Sequence, residues 1–338
     1  MEQELRGDSA PIQKESRMNV RRQVKDLLSR PEVSAFLMLL IMLALFSASN
    51  PYFLTLNNFM IILQPIPEIT LIAIGVTILM VSGEFDLSVG SVFAFSPMIM
   101  VLLLAAGIPV GLAIVVALIG AAAIGLCNSF ITLKIGLPSF ITTLGMLFMI
   151  RSLTIVMSGG FPPPFPRDMD TSWLVGRIDL LRASIFYLVA FAIVLAMWLR
   201  RTDFGSWIYA TGGNTQAAHD MGINTALVKT TAFVLCSVLA GFAGIIQCFR
   251  IKAIIPTMGT GFELHAIAAA VIGGAALTGG VGTVMGAIIG ALLIAFIENI
   301  IIINRIDANW FKFAVGAMIV FSVALNTYTR RAADKMKV

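Results

Sequence analysis

The sequence predicts an all-α, polytopic membrane protein of about ten transmembrane helices. Three observations carry that prediction. The 338 residues are 58% hydrophobic, with a mean hydropathy of +0.94. Only 12% are charged, against about 25% in an average soluble protein. The stretches 33–67 and 87–133 hold no charge at all. So few charges cannot solvate that much apolar surface in water, which excludes a cytosolic enzyme, a nucleic-acid binder and a disordered chain. Nucleic acid also fails to explain the net charge of +5, because the basic residues avoid the apolar runs and gather in the gaps and at the two ends.

A crossing helix needs about 20 apolar residues. Residues 33–50 form a first span, ended by Pro51, and 69–83 a second, short unless Glu68 sits at the interface. The run 87–133 is too long for one helix, and Gly107-Ile108-Pro109 divides it into a third and a fourth. The fifth covers 138–157, the sixth 183–199 and the seventh 230–249. A short eighth covers 266–278, a ninth 283–303 and a tenth 313–328. Ten spans put both termini on one side. Fifteen of the 23 Lys and Arg residues then fall on that side and seven on the other, with Arg151 inside a span. The basic excess places both termini in the cytoplasm.

The chain accordingly divides into a cytoplasmic tail (1–32), a transmembrane domain (33–329) and a second cytoplasmic tail (330–338). About thirty polar residues precede the first apolar run, so no cleavable leader is expected. Two loops exceed what a hairpin requires: 158–182 outside and 200–229 in the cytoplasm. The outer loop holds Pro162-Pro163-Pro164-Phe165-Pro166, a stiff extended segment suited to a spacer or docking ledge.

Catalytic groups are not apparent, and no catalytic or metal site is expected. Cys127, Cys236 and Cys248 are scattered through apolar runs and read as small buried hydrophobes. His219 and His265 have no second His at ligand spacing. There is no GxxxxGK[ST] phosphate loop, nucleophile elbow or zincin motif. An integral membrane enzyme would need acid, base or metal groups clustered at one depth, and none are visible.

Ionisable groups in or beside the spans are sharper signals, since each costs several kcal/mol unless paired or hydrated. Glu84 and Asp86 sit in Ser82-Gly83-Glu84-Phe85-Asp86-Leu87-Ser88-Val89-Gly90-Ser91. Two residues apart on a helix they would point about 200° from each other, and the flanking Gly83 and Gly90 suggest a break with Asp86 capping the third span. Glu84 either lines a pathway or rests in the hydrated break. Arg151 either snorkels to the outer interface or makes a contact inside the bundle, and Glu298 poses the same choice nearer the outer end. Glu84, Asp86, Ser88, Ser91 and Arg151 are the candidate lining of a polar pathway. Gly279, Gly280 and Gly282, within the glycine-rich run 273–290, look like a further break. In the cytoplasmic loop Asn214 is a capable N-cap before Ala217-Ala218, and Gly222 closes the segment two turns on. That short helix is shaped to enter a groove on another protein, or is an ordinary connection.

These segments resemble the permease subunits of ribose-type ABC importers, the bacterial family for simple sugars. Gly83-Glu84-Phe85-Asp86-Leu87-Ser88-Val89-Gly90-Ser91 is similar to the family's G-x-x-D-L-S-V-G-S. Gly212-Gly213-Asn214 with Ala217-Ala218 and Gly222-Ile223 looks like its coupling loop, and Gly261-Phe262-Glu263-Leu264 with the glycines to Gly286 is a third match. Arg151 falls where the family tends to carry an Arg after Thr143-Leu144-Gly145. The departure is Glu84-Phe85, where the family often has Gly-Ile. The resemblance implies a multi-pass protein of the bacterial inner membrane, embedded in lipid and paired with a second permease subunit. It implies a cytoplasmic ATPase that holds ATP and Mg and touches Asn214, Ala217, Ala218 and Gly222, and a periplasmic sugar-binding protein that docks on 158–182. No cofactor and no nucleic acid are expected on this chain. The alternative is a transporter or channel working alone, with Glu84 or Asp86 coupled to an ion.

Overall fold

The structure, a computed structural model, describes residues 31–166 and 169–335. The first thirty residues of the expected amino-terminal tail and residues 336–338 of the other lie outside them. Helices run in the order α1 (Pro31–Ser49), α2 (Leu56–Leu63), α3 (Ile66–Val81), α4 (Val89–Ala105), α5 (Val110–Phe130), α6 (Ser139–Met157), α7 (Ser172–Val175), α8 (Ala183–Arg201), α9 (Asp203–Gly213), α10 (Thr215–Asp220), α11 (Thr225–Ile251), α12 (Phe262–Ile272), α13 (Val284–Ile303) and α14 (Trp310–Lys335). Sheet is confined, among the described residues, to a two-residue antiparallel ribbon, Arg177–Ile178 with Leu181–Arg182, in the 158–182 loop.

Local sequence explains the boundaries. Pro31 opens α1, where its missing N–H costs nothing, and Asn50 before Pro51 ends it. Pro65 and Pro67 prevent α2 and α3 from being one helix, and the pair bends by 49°. A turn of π-helix, Ile131–Ile135, extends α5 to Gly136, whose φ of +87° only glycine adopts without strain.

Helix α3 is buried along its length except at Ile69, as a helix that is apolar on every side, with Glu68, Thr70 and Thr77 as its polar exceptions, should be. Helix α11, 27 residues and therefore about 40 Å long, packs against α3, α4 and α5. Glycines make the close approach possible: a Cβ on Gly244 would collide with the Phe93 carbonyl of α4, and one on Gly125 of α5 would lie 2.8 Å from the Phe233 carbonyl. A reciprocal amide pair, Asn58 with Asn299 at 2.9 Å each way, joins α2 to α13 without leaving either buried amide unpaired. The outer helices α1, α5, α6 and α8 expose large apolar side chains such as Leu45, Ile119, Phe148 and Ile193, the surface that a bilayer would cover.

One expectation is met in part and another changes. By length and apolarity six helices of the described residues can each cross a membrane, or seven if α2 and α3 form one bent span, so the count of ten is not reached. The reason is local in the three remaining helices: α4 is 17 residues, the apolar stretch of α14 runs only from Trp310 to Leu325, and α12 has 11 residues, because Gly273 and Gly274 end it and the glycine run to Thr283 is unwound rather than helical. Cys127 is exposed on α5, whereas Cys236 and Cys248 are buried as expected. Sequence reading also missed α9, an 11-residue helix capped by Thr202, whose Oγ1 accepts the Gly205 N–H at 3.1 Å.

Candidate functional site

Asn214 caps α10, its Oδ1 accepting the Ala217 N–H at 3.0 Å, and Gly222 at φ +86° turns the chain away. Of the four residues expected to touch a partner, Ala218 is buried against the rest of the protein and anchors the helix instead. The free face of α9–α10 presents Gln216, Ala217, His219, Asp220 and the largely exposed Met221.

Beneath this free face three chain segments meet backbone to backbone. A Cβ on Gly212, at the end of α9, would strike the Val81 carbonyl at the end of α3 and lie 2.8 Å from the Gly280 nitrogen. One on Gly279 would lie 2.6 Å from the Gly212 carbonyl and 3.0 Å from Gly83 Cα. Gly280 N donates to the Val81 carbonyl at 2.9 Å. Gly83, Gly279 and Gly280 all have positive φ (+92°, +87° and +73°), which an L side chain disfavours. Tyr209 on α9 donates its hydroxyl to the Gly282 carbonyl at 2.8 Å. Burial holds that phenol above its usual range, so it stays protonated and donating at neutral pH. The junction thus ties α9–α10 to the two unwound segments, 82–88 and 273–283.

Gly90 does not break a helix. It lies inside α4, and its missing Cβ makes room for the Gly259 carbonyl and the Glu263 carboxylate. Asp86 stands two residues ahead of the α4 cap rather than being that cap. Its Oδ1 accepts the Ser88 N–H at 2.7 Å and the Ser88 hydroxyl at 2.6 Å. Asn128 of α5 donates to Asp86 Oδ2 at 3.3 Å and to Ser88 Oγ at 2.9 Å. Ser91 Oγ donates to the Leu147 carbonyl at 2.7 Å, joining α4 to α6. These polar atoms hold the unwound segment in place.

Glu84 meets Lys229 of α11 at 2.7 Å, each side chain only 12% exposed. Lys229→Met is expected to cost about 3 kcal/mol by leaving a nearly buried carboxylate alone. Adding Glu84→Gln recovers more than half of that loss, and thermal unfolding of the two singles and the double measures the coupling. Arg151 points inward: Nη1 donates to the Met258 carbonyl at 2.7 Å and Nη2 to the Gly90 carbonyl at 2.9 Å, with Glu263 as a neighbouring charge. It fastens the 252–261 segment to α4.

The structure therefore brings Asp86, Ser88 and Asn128 together, and separately Gly83, Gly212, Gly279 and Gly280. Arg151 belongs to neither group. Lys229, Tyr209 and Glu263 were missed. Opposite charges at one end of the bundle were the available signal for Lys229 with Glu84, and nothing local pointed to Tyr209. Among the described residues no group of three His, Cys, Asp or Glu side chains is placed to hold a metal ion.

A protein-family profile described as "Branched-chain amino acid transport system / permease component" matches residues 58–323, a stretch that includes both unwound segments and the α9–α10 element. The chain belongs to this permease family. Members similar to it include the ribose import permease protein RbsC of Escherichia coli K12, 34% identical over 300 residues, or 87% of this chain and 92% of that protein. The xylose/arabinose import permease protein XylH of Sulfolobus acidocaldarius is 34% identical over 322 residues, covering 93% of this chain and 90% of its own. The autoinducer 2 import system permease protein LsrC of Yersinia enterocolitica is 32% identical over 306 residues, covering 90% and 84%. No solved structure matches the chain. As a permease of this family with several membrane-capable apolar helices, it is a multi-pass protein of the inner membrane.

Proposed function

We propose that this permease is the membrane-spanning subunit of an ATP-driven importer for a simple sugar or polyol. It works with a second permease subunit, identical or related, a cytoplasmic ATPase that holds ATP and Mg, and a periplasmic binding protein that delivers the solute. The relatives that import ribose and xylose/arabinose favour a sugar. The observation that carries the mechanism is the Gly212 junction, which lets a push on α10 reach both unwound segments through backbone contact. In this reading α4, α12, α14 and the bent α2–α3 pair complete ten crossings. Both termini are then cytoplasmic, with α9–α10 on the ATPase side and the 158–182 loop on the outer side. Asn214, Ala217 and Gly222 belong to the element that the ATPase engages.

Uptake tests it. Reversing the charge of Asp220 together with Ala217→Glu on α10 is expected to abolish ATP-driven uptake while the chain still reaches the membrane. Normal uptake with that surface destroyed would refute the mechanism.

The stand-alone ion-coupled reading gains no support from the acidic residues, since Glu84 is paired and Asp86 is occupied by Ser88 and Asn128. A separating prediction follows. Asp86→Asn keeps an oxygen for the Ser88 N–H and retains measurable uptake, whereas Asp86→Ala loses that bond at about 1–2 kcal/mol and is the more damaging. Ion coupling through Asp86 would make both equally inactive.

A further inference from the structure

At the end of the bundle opposite α9–α10, the start of α3, the end of α11, the start of α12, the end of α13 and the start of α14 enclose a cavity of about 200 Å³. Its polar wall is Glu68, Gln247, Arg250, His265 and Glu298. Glu68 Oε1 accepts Arg250 Nε at 2.6 Å, but Glu68 Oε2 and Gln247 Oε1 are buried without a hydrogen-bond partner, although the Glu68 side chain is only 3% exposed. Orphaned acceptors of this kind are costly unless something donates to them. The other wall is aromatic: the His265 imidazole lies between Phe262 (6.0 Å between ring centroids) and Phe311 (5.1 Å, edge on).

We infer that this cavity is a solute site within one subunit, built for a hydroxyl-rich molecule the size of a monosaccharide. The inference rests on the sugar-importer reading and adds a place to it. Hydroxyls donate to Glu68 Oε2, Gln247 Oε1 and the Glu298 carboxylate, and accept from the remaining N–H groups of Arg250. The apolar C–H face of a sugar ring lies against Phe262 and Phe311. The Glu68 and Glu298 carboxylates and the Gln247 amide oxygen against the single Arg250 guanidinium leave acceptors in excess on the wall, which suits a solute rich in hydroxyl donors.

The test is uptake of radiolabelled D-ribose, D-xylose and L-arabinose by cells carrying the complete importer, with Gln247→Leu and Ala295→Phe as variants. Gln247→Leu preserves size and removes one acceptor, so KM for the transported sugar rises about tenfold with little change in kcat. Ala295→Phe fills the cavity from α13 and abolishes uptake. Membrane abundance of each variant is measured alongside. Wild-type import with a Gln247→Leu KM within about twofold of normal would overturn the site alone. Wild-type cells that import none of the three sugars would overturn the pentose form of the importer reading, and the site as a pentose site with it.

Discussion

Gly212→Val is expected to abolish ATP-driven uptake, and Gly213→Ala, one residue along, to leave it within about twofold of wild type. The difference is geometric. A Cβ on Gly212 meets backbone on two sides, the Val81 carbonyl and the Gly280 nitrogen, whereas one on Gly213 has nothing within 4 Å. Backbone cannot swing aside as a flexible side chain can, so the wedge at Gly212 must part the end of α9 from the end of α3. Overpacking of this kind costs about 1–3 kcal/mol. That is small against what the lipid-embedded helices gain from burial, so the chain should still insert and be recovered from the membrane. What fails is the tie between the α10 surface and the unwound segments, and uptake falls at least about tenfold. Initial uptake rates, normalised to chain in the membrane, measure this. Equal uptake by the two variants would mean that the junction transmits nothing.

The second large effect belongs to Arg151. Its guanidinium makes two charge-assisted bonds to carbonyls on separate segments, each worth about 1.5–3 kcal/mol. Arg151→Ala removes both, frees the Gly90 and Met258 carbonyls and leaves Glu263 without its neighbouring cation. A loss of about 3 kcal/mol is expected, seen as a clear fall in the unfolding temperature of the purified protein. Arg151→Lys keeps the charge but presents a single ammonium where a planar fork spans two acceptors, so it recovers at most half. Uptake should fall in parallel with stability for both variants. An Arg151 that contacted the solute would instead change KM while the unfolding temperature stayed put.

Much of the helical plan was legible because apolar runs and proline–glycine punctuation act locally. Pro51, Gly107-Ile108-Pro109 and Pro138 lie where the structure begins or ends helices, and Asn214 to Gly222 folds as its capping residues dictate. Span lengths were less legible. The residues 273–278 are apolar enough to extend α12, yet the helix ends at Gly273 and Gly274, the latter at φ +92°, and the following Gly279 and Gly280, also at positive φ, pack backbone to backbone against Gly83 and Gly212. Hydropathy is blind to that.

The candidate site divided in the same way. Asp86 and Ser88 were identifiable as a polar break, but their partner Asn128 lies on another helix forty residues on. Arg151 could be found as a charge in a span, while its acceptors are main-chain carbonyls that no side-chain pattern reveals. Gly90 was misread because a glycine that allows close approach and one that breaks a helix look alike in sequence.

Reconstitution into liposomes probes the source of the driving force most directly. Vesicles holding only this permease should fail to concentrate a transported sugar under any ion gradient. Vesicles that also hold the second permease subunit, the ATPase, the binding protein and ATP should accumulate it, and Gly212→Val should stop that accumulation. Accumulation by the permease by itself, with no nucleotide present, would contradict the account.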